Sequence, residues 1–348
     1  MIILGIETSC DETGVAIVED GRTLLAESLA TSMDIHSLYG GVVPEIAARS
    51  QLEFMIPAIE DVLAKFSREN IDDPWSVIDG IAVTNGAGLS GSLLIGVLTA
   101  RTLAIAKNKP LYGVNHVEGH VYANFLSSPP PAFPLLSLIV SGGHTQLVYF
   151  RDHFDYDLLG QTVDDAIGEA FDKVAKIIGL PYPGGPNVAN AALNGNPKAY
   201  VLPKPKLDGR YDFSFSGLKT AVLRAAQAAV GEDYRLASTE LPQRLSEAQK
   251  NDIAASFQDK AVDIVVEKTR TAFEEYSPNC VVLAGGVAAN QHLRDKLSEA
   301  LPIAVNYAPN SLCTDNGAMV ATLGCWKAIL GIEPDNAYDL AINPNLKM

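Results

Sequence analysis

Two histidines, His116 and His120, stand four residues apart in VNHVEGH (114–120), with Glu118 between them. On a helix, positions four apart share a face, so both imidazoles can address one object, and a transition metal suits such a pair. Two donors do not close a site. A third is offered by Asp315 in CTDNGAM (313–319), which follows Pro309 and opens the apolar helical pattern GAMVATLGCWKAIL. A carboxylate at a helix start is explained equally well as a metal ligand or as an N-cap. The spacing argues against a zinc peptidase: H-E-x-x-H sets its glutamate beside the first histidine, whereas Glu118 lies two residues on, roughly across the helix. Ordinary hydrogen-bonded histidines are the plain alternative to a metal pair.

A second chemistry is suggested by turns of small residues. Residues 3–18, ILGIETSCDETGVAIV, run apolar strand, small polar turn, apolar strand, and residues 136–149, LSLIVSGGHTQLVY, repeat the pattern. Such turns expose several backbone N–H groups together, and Ser9, Gly142 and Gly143 are small enough to let a phosphate approach. AGGVAAN (284–290), between the strand CVVL and the helix QHLRDKLSEA, adds a loop at a helix N-terminus. Taken singly, each glycine pair is explained as a tight turn. GAGLSG (86–91) satisfies the dinucleotide-binding pattern, but the following strand PLYGVN ends in Asn115 and His116 rather than in a ribose-binding acid. Those glycines are read as allowing close packing, or as contacting a different ligand.

The elements that must position these residues form an α/β pattern. Apolar runs such as IDGIAVT, PLYGVN, TQLVYF and IAVNYA alternate with long Ala/Leu/Lys/Glu segments. At 348 residues the chain is longer than one core usually organises. The duplicated hairpin, with the Pro-rich SSPPPAFP (127–134) before its second copy, predicts two related halves facing one another across a cleft. The expected boundaries are 1–134, 135–325 and a C-terminal tail, 326–348. No apolar run of membrane-spanning length and no signal-like leader is read, which implies a cytoplasmic protein. Four cysteines without C-x-x-C spacing imply reduced thiols rather than a disulfide frame. A formal charge of -15 disfavours a general nucleic-acid coat, so RNA binding would be local or assisted.

Nine ordered motifs, GIETSCDETG (5–14), GGVVPEIAAR (40–49), NHVEGH (115–120), VSGGHTQ (140–146), GEAFDK (168–173), YPGGP (182–186), DFSFSGLKT (212–220), AGGVAAN (284–290) and CTDNGA (313–318), span nearly the whole chain. Together they resemble the TsaD family, the tRNA N6-adenosine threonylcarbamoyltransferases. The resemblance implies an actin, sugar-kinase and Hsp70-type fold with two ribonuclease-H-like halves around a nucleotide cleft. It implies one divalent metal, iron or zinc, on His116, His120 and Asp315. It places an adenylate site on Ile139, Val140, Ser141, Gly142, Gly143, Asp172, Gly185 and Asn290, and acids near the reacting group at Asp11 and Glu12. The chain departs from the family's usual pattern at Gln51, where histidine is common, at Ala87, often proline, and at Ala189, frequently aspartate, which removes a possible nucleotide contact. Ile139 stands where archaeal and eukaryotic relatives carry tyrosine, which favours the bacterial or organellar branch.

The activity so implied is transfer of threonylcarbamoyl from L-threonylcarbamoyl-AMP to N6 of adenosine 37 in tRNAs reading codons that begin with A. Bacterial relatives work with a dimerising paralogue, TsaB, and a P-loop ATPase, TsaE. Lys204, Lys206, Arg210 and Lys219, interleaved with Tyr211, Phe213 and Phe215, are expected to grip phosphates and stack bases, or else to form a buried aromatic turn with solvated lysines. A small-molecule kinase with Asp11 as base would leave the histidine pair idle. A metallopeptidase would leave the nucleotide loops idle.

Overall fold

The structure is a computed structural model, and it describes residues 1–67 and 73–348. The first sheet is formed by β1 (Ile2–Glu7), β2 (Glu12–Glu19), β3 (Thr23–Thr31), β4 (Gly80–Gly86) and β5 (Leu111–Asn115), ordered β3-β2-β1-β4-β5. β1 to β3 form an antiparallel meander, whereas β4 and β5 run parallel to β1. Near-continuous apolar runs such as IILGI and IAV suit these central strands because both of their faces are covered. On one face lie α1 (Pro44–Ser67) and α2 (Ser90–Lys107), whose Val62 and Val97 meet Leu4, Ile6, Ile17, Ile81 and Val83 in one core. The short helix α3 (His116–Tyr122) follows β5 directly, and Asn115 caps it by accepting from the N–H groups of Val117 and Glu118.

The second sheet repeats the plan. β6 (Leu135–Val140), β7 (Thr145–Asp152) and β8 (Asp155–Gln161) form an antiparallel meander, and β9 (Cys280–Ala284) and β10 (Val305–Tyr307) extend the sheet in parallel from β6. The order β8-β7-β6-β9-β10 matches that of the first sheet element for element. Its helices are α4 (Ile167–Ile178), α5 (Gly184–Ala192), α6 (Ser216–Ala229), α7 (Glu247–Tyr276) and α8 (Gln291–Ala300). The hairpin duplication read in the sequence is therefore a duplication of whole sheets.

The chain then returns to the first sheet through α9 (Gly317–Ile329). The two compact units are Met1–Pro131 together with Ala308–Met348, and Ala132–Tyr307. This corrects the expected boundaries: residues 308–325 do not belong to the second half, and 326–348 are not a separate tail. The reason is steric. A Cβ added at Gly5 would lie 2.3 Å from the Ala321 nitrogen, and one added at Gly317 would lie 2.6 Å from the backbone of Ala16. These glycines let α9 lie directly on β1 and β2, and from Gly317 to Cys325 it is buried on every side. The segment beyond it is also fastened to the first unit: Asp335 accepts the Gly113 N–H at 2.7 Å, and the Arg101 guanidinium donates to the Ala337 carbonyl at 2.8 Å.

A second correction concerns α2, whose 18 residues are long and apolar enough to cross a membrane, contrary to the sequence reading. Leu93, Val97, Ala100 and Ala104 are nevertheless committed to the core of this unit. If the contact between α9 and β1 is as close as it stands here, Gly5→Ala should cost about 3 kcal/mol, as overpacking does. Gly142→Ala, where a Cβ meets nothing within 4 Å, should be nearly neutral. Equal thermal midpoints for the two variants would contradict the close approach.

Candidate metal centre and nucleotide loops

In the first unit α3 and the loop before α9 bring three candidate ligands together. One ligand atom from each of His116, His120 and Asp315 lies within 4.8 Å of the others. His120 Nε2 is 3.3 Å from Asp315 Oδ1, and His116 Nε2 is 3.7 Å from the same oxygen. The two rings meet edge to face with centroids 4.7 Å apart, as expected for positions four apart on a helix. Asp315 is not the cap of α9. That task falls to Asn316, whose side chain accepts the Met319 N–H at 2.9 Å. The choice left open by the sequence, ligand or N-cap, is thereby resolved at the cap.

These residues fit a cation. Both ring nitrogens of His120 are buried and, beyond the Asp315 carboxylate facing Nε2, neither has a hydrogen-bond partner among the described residues, which is costly for a polar group unless something else fills the role. Negative charge is crowded around them. Burial, with the nearby Asp315 and Asp11 carboxylates, pushes Glu12 up to about 10. Burial would lower His116, but Asp315 and Glu7 outweigh it and hold the imidazole up at about 9. A divalent ion relieves such a cluster of acids. Glu118 sits apart from the two histidine rings in character: burial raises it to about 7, only partly offset by Lys327.

Asp11 closes the turn from β1 to β2, and Glu12 opens β2. The amide of Gln51, fully buried on α1, ties this turn down by donating to the carbonyls of Cys10 at 3.0 Å and Glu12 at 3.1 Å. The GAGLSG loop braces it from another side, since the Leu89 N–H donates to the Ser9 carbonyl at 2.7 Å and Gly88 has no room for a Cβ there. Its glycines serve close packing. Sequence reading marks Gln51 only as a departure from the family's usual histidine; nothing local gives a partner to one amide on a long helix. Glu7 carried a signal that went unused: an acid ending an otherwise apolar strand.

In the second unit the turn from β6 to β7 carries Ser141, Gly142 and Gly143, and both glycines face open space. Ile139 and Val140 are strand residues with fully buried side chains, so they offer a ligand only main-chain atoms. Gly168, at the start of α4, rests on the Ser141 carbonyl, and Gly285 rests on that of Val140. Four residues beyond Gly168 on the same face of α4, Asp172 accepts the Gly184 N–H at 2.7 Å and so anchors the N-terminus of α5, where Gly185 is open. Burial raises Asp172, while the N–H groups of Gly184 and Gly185 oppose this. Asn290 caps α8 through Leu293 at 3.0 Å and donates to Gln258 at 2.9 Å. The β6–β7 turn, the α4 start and the Gly285 loop thus adjoin, with the α5 start tied to α4.

The segment expected to stack RNA bases does not offer its rings. Tyr211 is 7% exposed, and Phe213 and Phe215 are fully buried. Phe213 pairs with the edge of β8, exchanging backbone hydrogen bonds with Gln161 and Val163, and this turns the rings inward. Three of its four cations are engaged by acids, Lys204 by Glu267, Arg210 by Glu275 and Lys219 by Asp165. The alternative of a buried aromatic turn is the correct one.

The sequence profile of the TsaD family, tRNA N6-adenosine threonylcarbamoyltransferase, matches residues 23–322. The chain belongs to this family. A tRNA N6-adenosine threonylcarbamoyltransferase of Thermomicrobium roseum is 47% identical, covering 100% of this chain and 97% of the relative. One of Symbiobacterium thermophilum is also 47% identical, over 99% and 96%. Among solved structures, HypF of T. kodakarensis superposes with a TM-score of 0.62 at 14% identity, covering 94% of this chain and 48% of that one. The (R)-2-hydroxyglutaryl-CoA dehydratase component A of Acidaminococcus fermentans gives a TM-score of 0.50 at 16% identity, covering 95% and 99%. With the two like-ordered sheets, these likenesses establish the actin, sugar-kinase and Hsp70-type fold. Family membership makes the chain a transferase that forms threonylcarbamoyladenosine in tRNA, and it does not favour the kinase and peptidase readings.

The refolded role of residues 211–219 can be tested at Asp164, which accepts from Ser214 Oγ at 2.5 Å, Phe215 N at 2.8 Å and Ser216 Oγ at 2.6 Å. Burial would raise its pKa, but these hydrogen bonds outweigh burial and hold it below the usual value. A lowered carboxylate contributes stability above its unfolded-state pKa of about 4, and this is lost as pH falls through the folded value. Asp164 is exposed and its charge is screened by solvent, so Asp164→Ala should cost no more than about 1 kcal/mol near neutrality. The difference from wild type should shrink in acid, and denaturant titrations over a pH series would show it; a gap independent of pH would contradict the assignment.

Proposed function

We propose that the chain transfers the threonylcarbamoyl group of L-threonylcarbamoyl-AMP to N6 of adenosine 37 in tRNAs that read codons beginning with A. The observation that carries the reading is the convergence of His116, His120 and Asp315 beside the acids Asp11 and Glu12, in a member of this family. His116, His120 and Asp315 would hold one divalent metal, Fe2+ or Zn2+, which when bound supplies a Lewis acid for donor oxygens.

The amine of adenosine is a weak nucleophile because its lone pair is shared with the purine ring. Rate must come from fixing the reactants and from stabilising charge as AMP departs. In this reading the exposed N–H groups around Gly142, Gly143 and Gly285 bear the phosphate. Ile139, Val140 and Ser141 contribute main chain, and Asp172, Gly185 and Asn290 line the nucleoside end. Asp11 or Glu12 orients the attacking amine, whose proton passes to Asp11 or to solvent, since Glu12, raised to about 10, already holds one near neutrality. The amine nitrogen bonds to the carbamoyl carbon, the bond from that carbon to the phosphate oxygen breaks, and AMP leaves with the electron pair.

An anticodon-loop base is partly unstacked already and can be splayed into a pocket. With a net charge of -15, tRNA recruitment needs help, which supports a dimerising paralogue (TsaB) and a P-loop ATPase (TsaE) as partners in the cytoplasm. Exposed Leu52 and Ile56 on α1 and Leu94 and Leu98 on α2 give a protein partner apolar area to cover.

Unmodified tRNA incubated with threonylcarbamoyl-AMP and the chain, with its partners present, should yield the modified adenosine by mass spectrometry. Asp315→Ala and His120→Ala should each lose metal retention and transfer together, by more than the roughly 10- to 100-fold typical of residues outside the coordination sphere. Full transfer by metal-free Asp315→Ala protein would refute the reading.

A further inference from the structure

Glu7 ends β1, whose preceding residues Ile2–Ile6 are apolar or glycine, and its side chain is fully buried. A buried carboxylate is costly unless its lone pairs meet donors. Oε1 accepts the Ser9 N–H at 2.5 Å, and Oε2 accepts the Thr84 hydroxyl at 2.5 Å. The same Oε2 lies 3.4 Å from Nδ1 of His116, which among the described residues is the one ion-pair partner Glu7 has.

A carboxylate oxygen aimed at an imidazole nitrogen favours a hydrogen there, since two lone pairs facing each other away from water repel. Nδ1 of His116 is then held as an N–H, which leaves Nε2, on the side of Asp315, as the nitrogen that gives up any hydrogen and offers its lone pair when a metal binds. Ser9 Oγ lies 3.0 Å from the same Nδ1 and 3.5 Å from Asp315 Oδ2. With Nδ1 donating, the Ser9 hydroxyl accepts from His116 and turns its own hydrogen to Asp315 Oδ2. Asp315 Oδ1 is left as the oxygen facing both histidines.

We infer that Glu7 is a positioning residue: it sets the tautomer of His116 and, through the Ser9 hydroxyl, aims the carboxylate of Asp315. The inference rests on the reading of His116, His120 and Asp315 as a metal site. It deepens that reading by assigning the orientation of two ligands to a third residue that binds nothing itself.

The test uses the full chain, stripped of metal and titrated with Co2+ and Zn2+. Binding is read from the visible absorption of Co2+ and from competition for Zn2+ with a chromophoric chelator. Glu7→Gln keeps the shape but can present an amide donor to Nδ1; it should weaken Zn2+ binding about 10- to 100-fold and alter the Co2+ spectrum. Its circular dichroism without metal should stay native. Ser9→Ala, which breaks only the link to Asp315, should weaken binding less.

If Glu7→Gln does not fold, Thr84→Val and Ser9→Ala decide: weaker binding in both supports the inference, and wild-type affinity in both overturns it. Folded Glu7→Gln with wild-type affinity and spectrum overturns the inference, provided Asp315→Ala has lost the metal, and leaves the metal site standing. A wild-type chain that binds no Co2+ or Zn2+ removes the metal reading and the inference together.

Discussion

The first unit depends on one close approach, that of α9 to the backbone of β1 and β2. Gly5, Gly14 and Gly317 leave no room for a side chain at the contact, so the helix rests on main chain rather than on a layer of side chains. That contact fixes where the helix begins, and Asp315 stands two residues before its first turn. The same strands end at the turn that holds Ser9, Asp11 and Glu12. Interiors this tightly filled transmit small displacements instead of absorbing them. The geometry of the candidate metal centre is thus inherited from backbone packing some distance from any ligand atom.

The two sheets share strand order and direction, yet their first hairpins carry opposite chemistry. The turn after β1 has Asp11 and Glu12 and sits among buried polar groups. The turn after β6 has Gly142 and Gly143, no acid, and open space around both glycines. An acid-rich turn suits a cation, whereas a turn of bare N–H groups suits an anion. One repeated strand order thus carries two turns of opposite preference, set by a few residues rather than by the scaffold.

Much of this was legible in the sequence because it rests on local pattern. Apolar runs between long helical segments gave the α/β class, the repeated strand-turn-strand gave the duplication, and the spacing of His116 and His120 gave the shared helix face. What escaped depends on distant contacts. Nothing in GAMVATLGCWKAIL says against which sheet it packs; only the glycines of β1 and β2, some three hundred residues earlier, decide that. Residues 204–219 read equally as a base-stacking strip or as a buried aromatic turn, and only the edge of β8 and acids on other elements, which turn the rings inward and engage Lys204, Arg210 and Lys219, decide between them. Glu7 and Gln51 escaped for the same reason, since their partners are carbonyls and side chains brought near by folding.

The discontinuity of the first unit has a bearing on how the protein is made. Domains tend to fold as units while the ribosome is still adding residues. Residues 132–307 are contiguous and can complete their own sheet and helices as soon as they emerge. Residues 1–131 cannot, because the helix that covers β1 and β2, and the aspartate that faces His116 and His120, are supplied by 308–348. A nascent chain released early would have all five strands of the first sheet but neither the helix that covers β1 and β2 nor Asp315, so this unit stays unfinished until residues 308–348 are made.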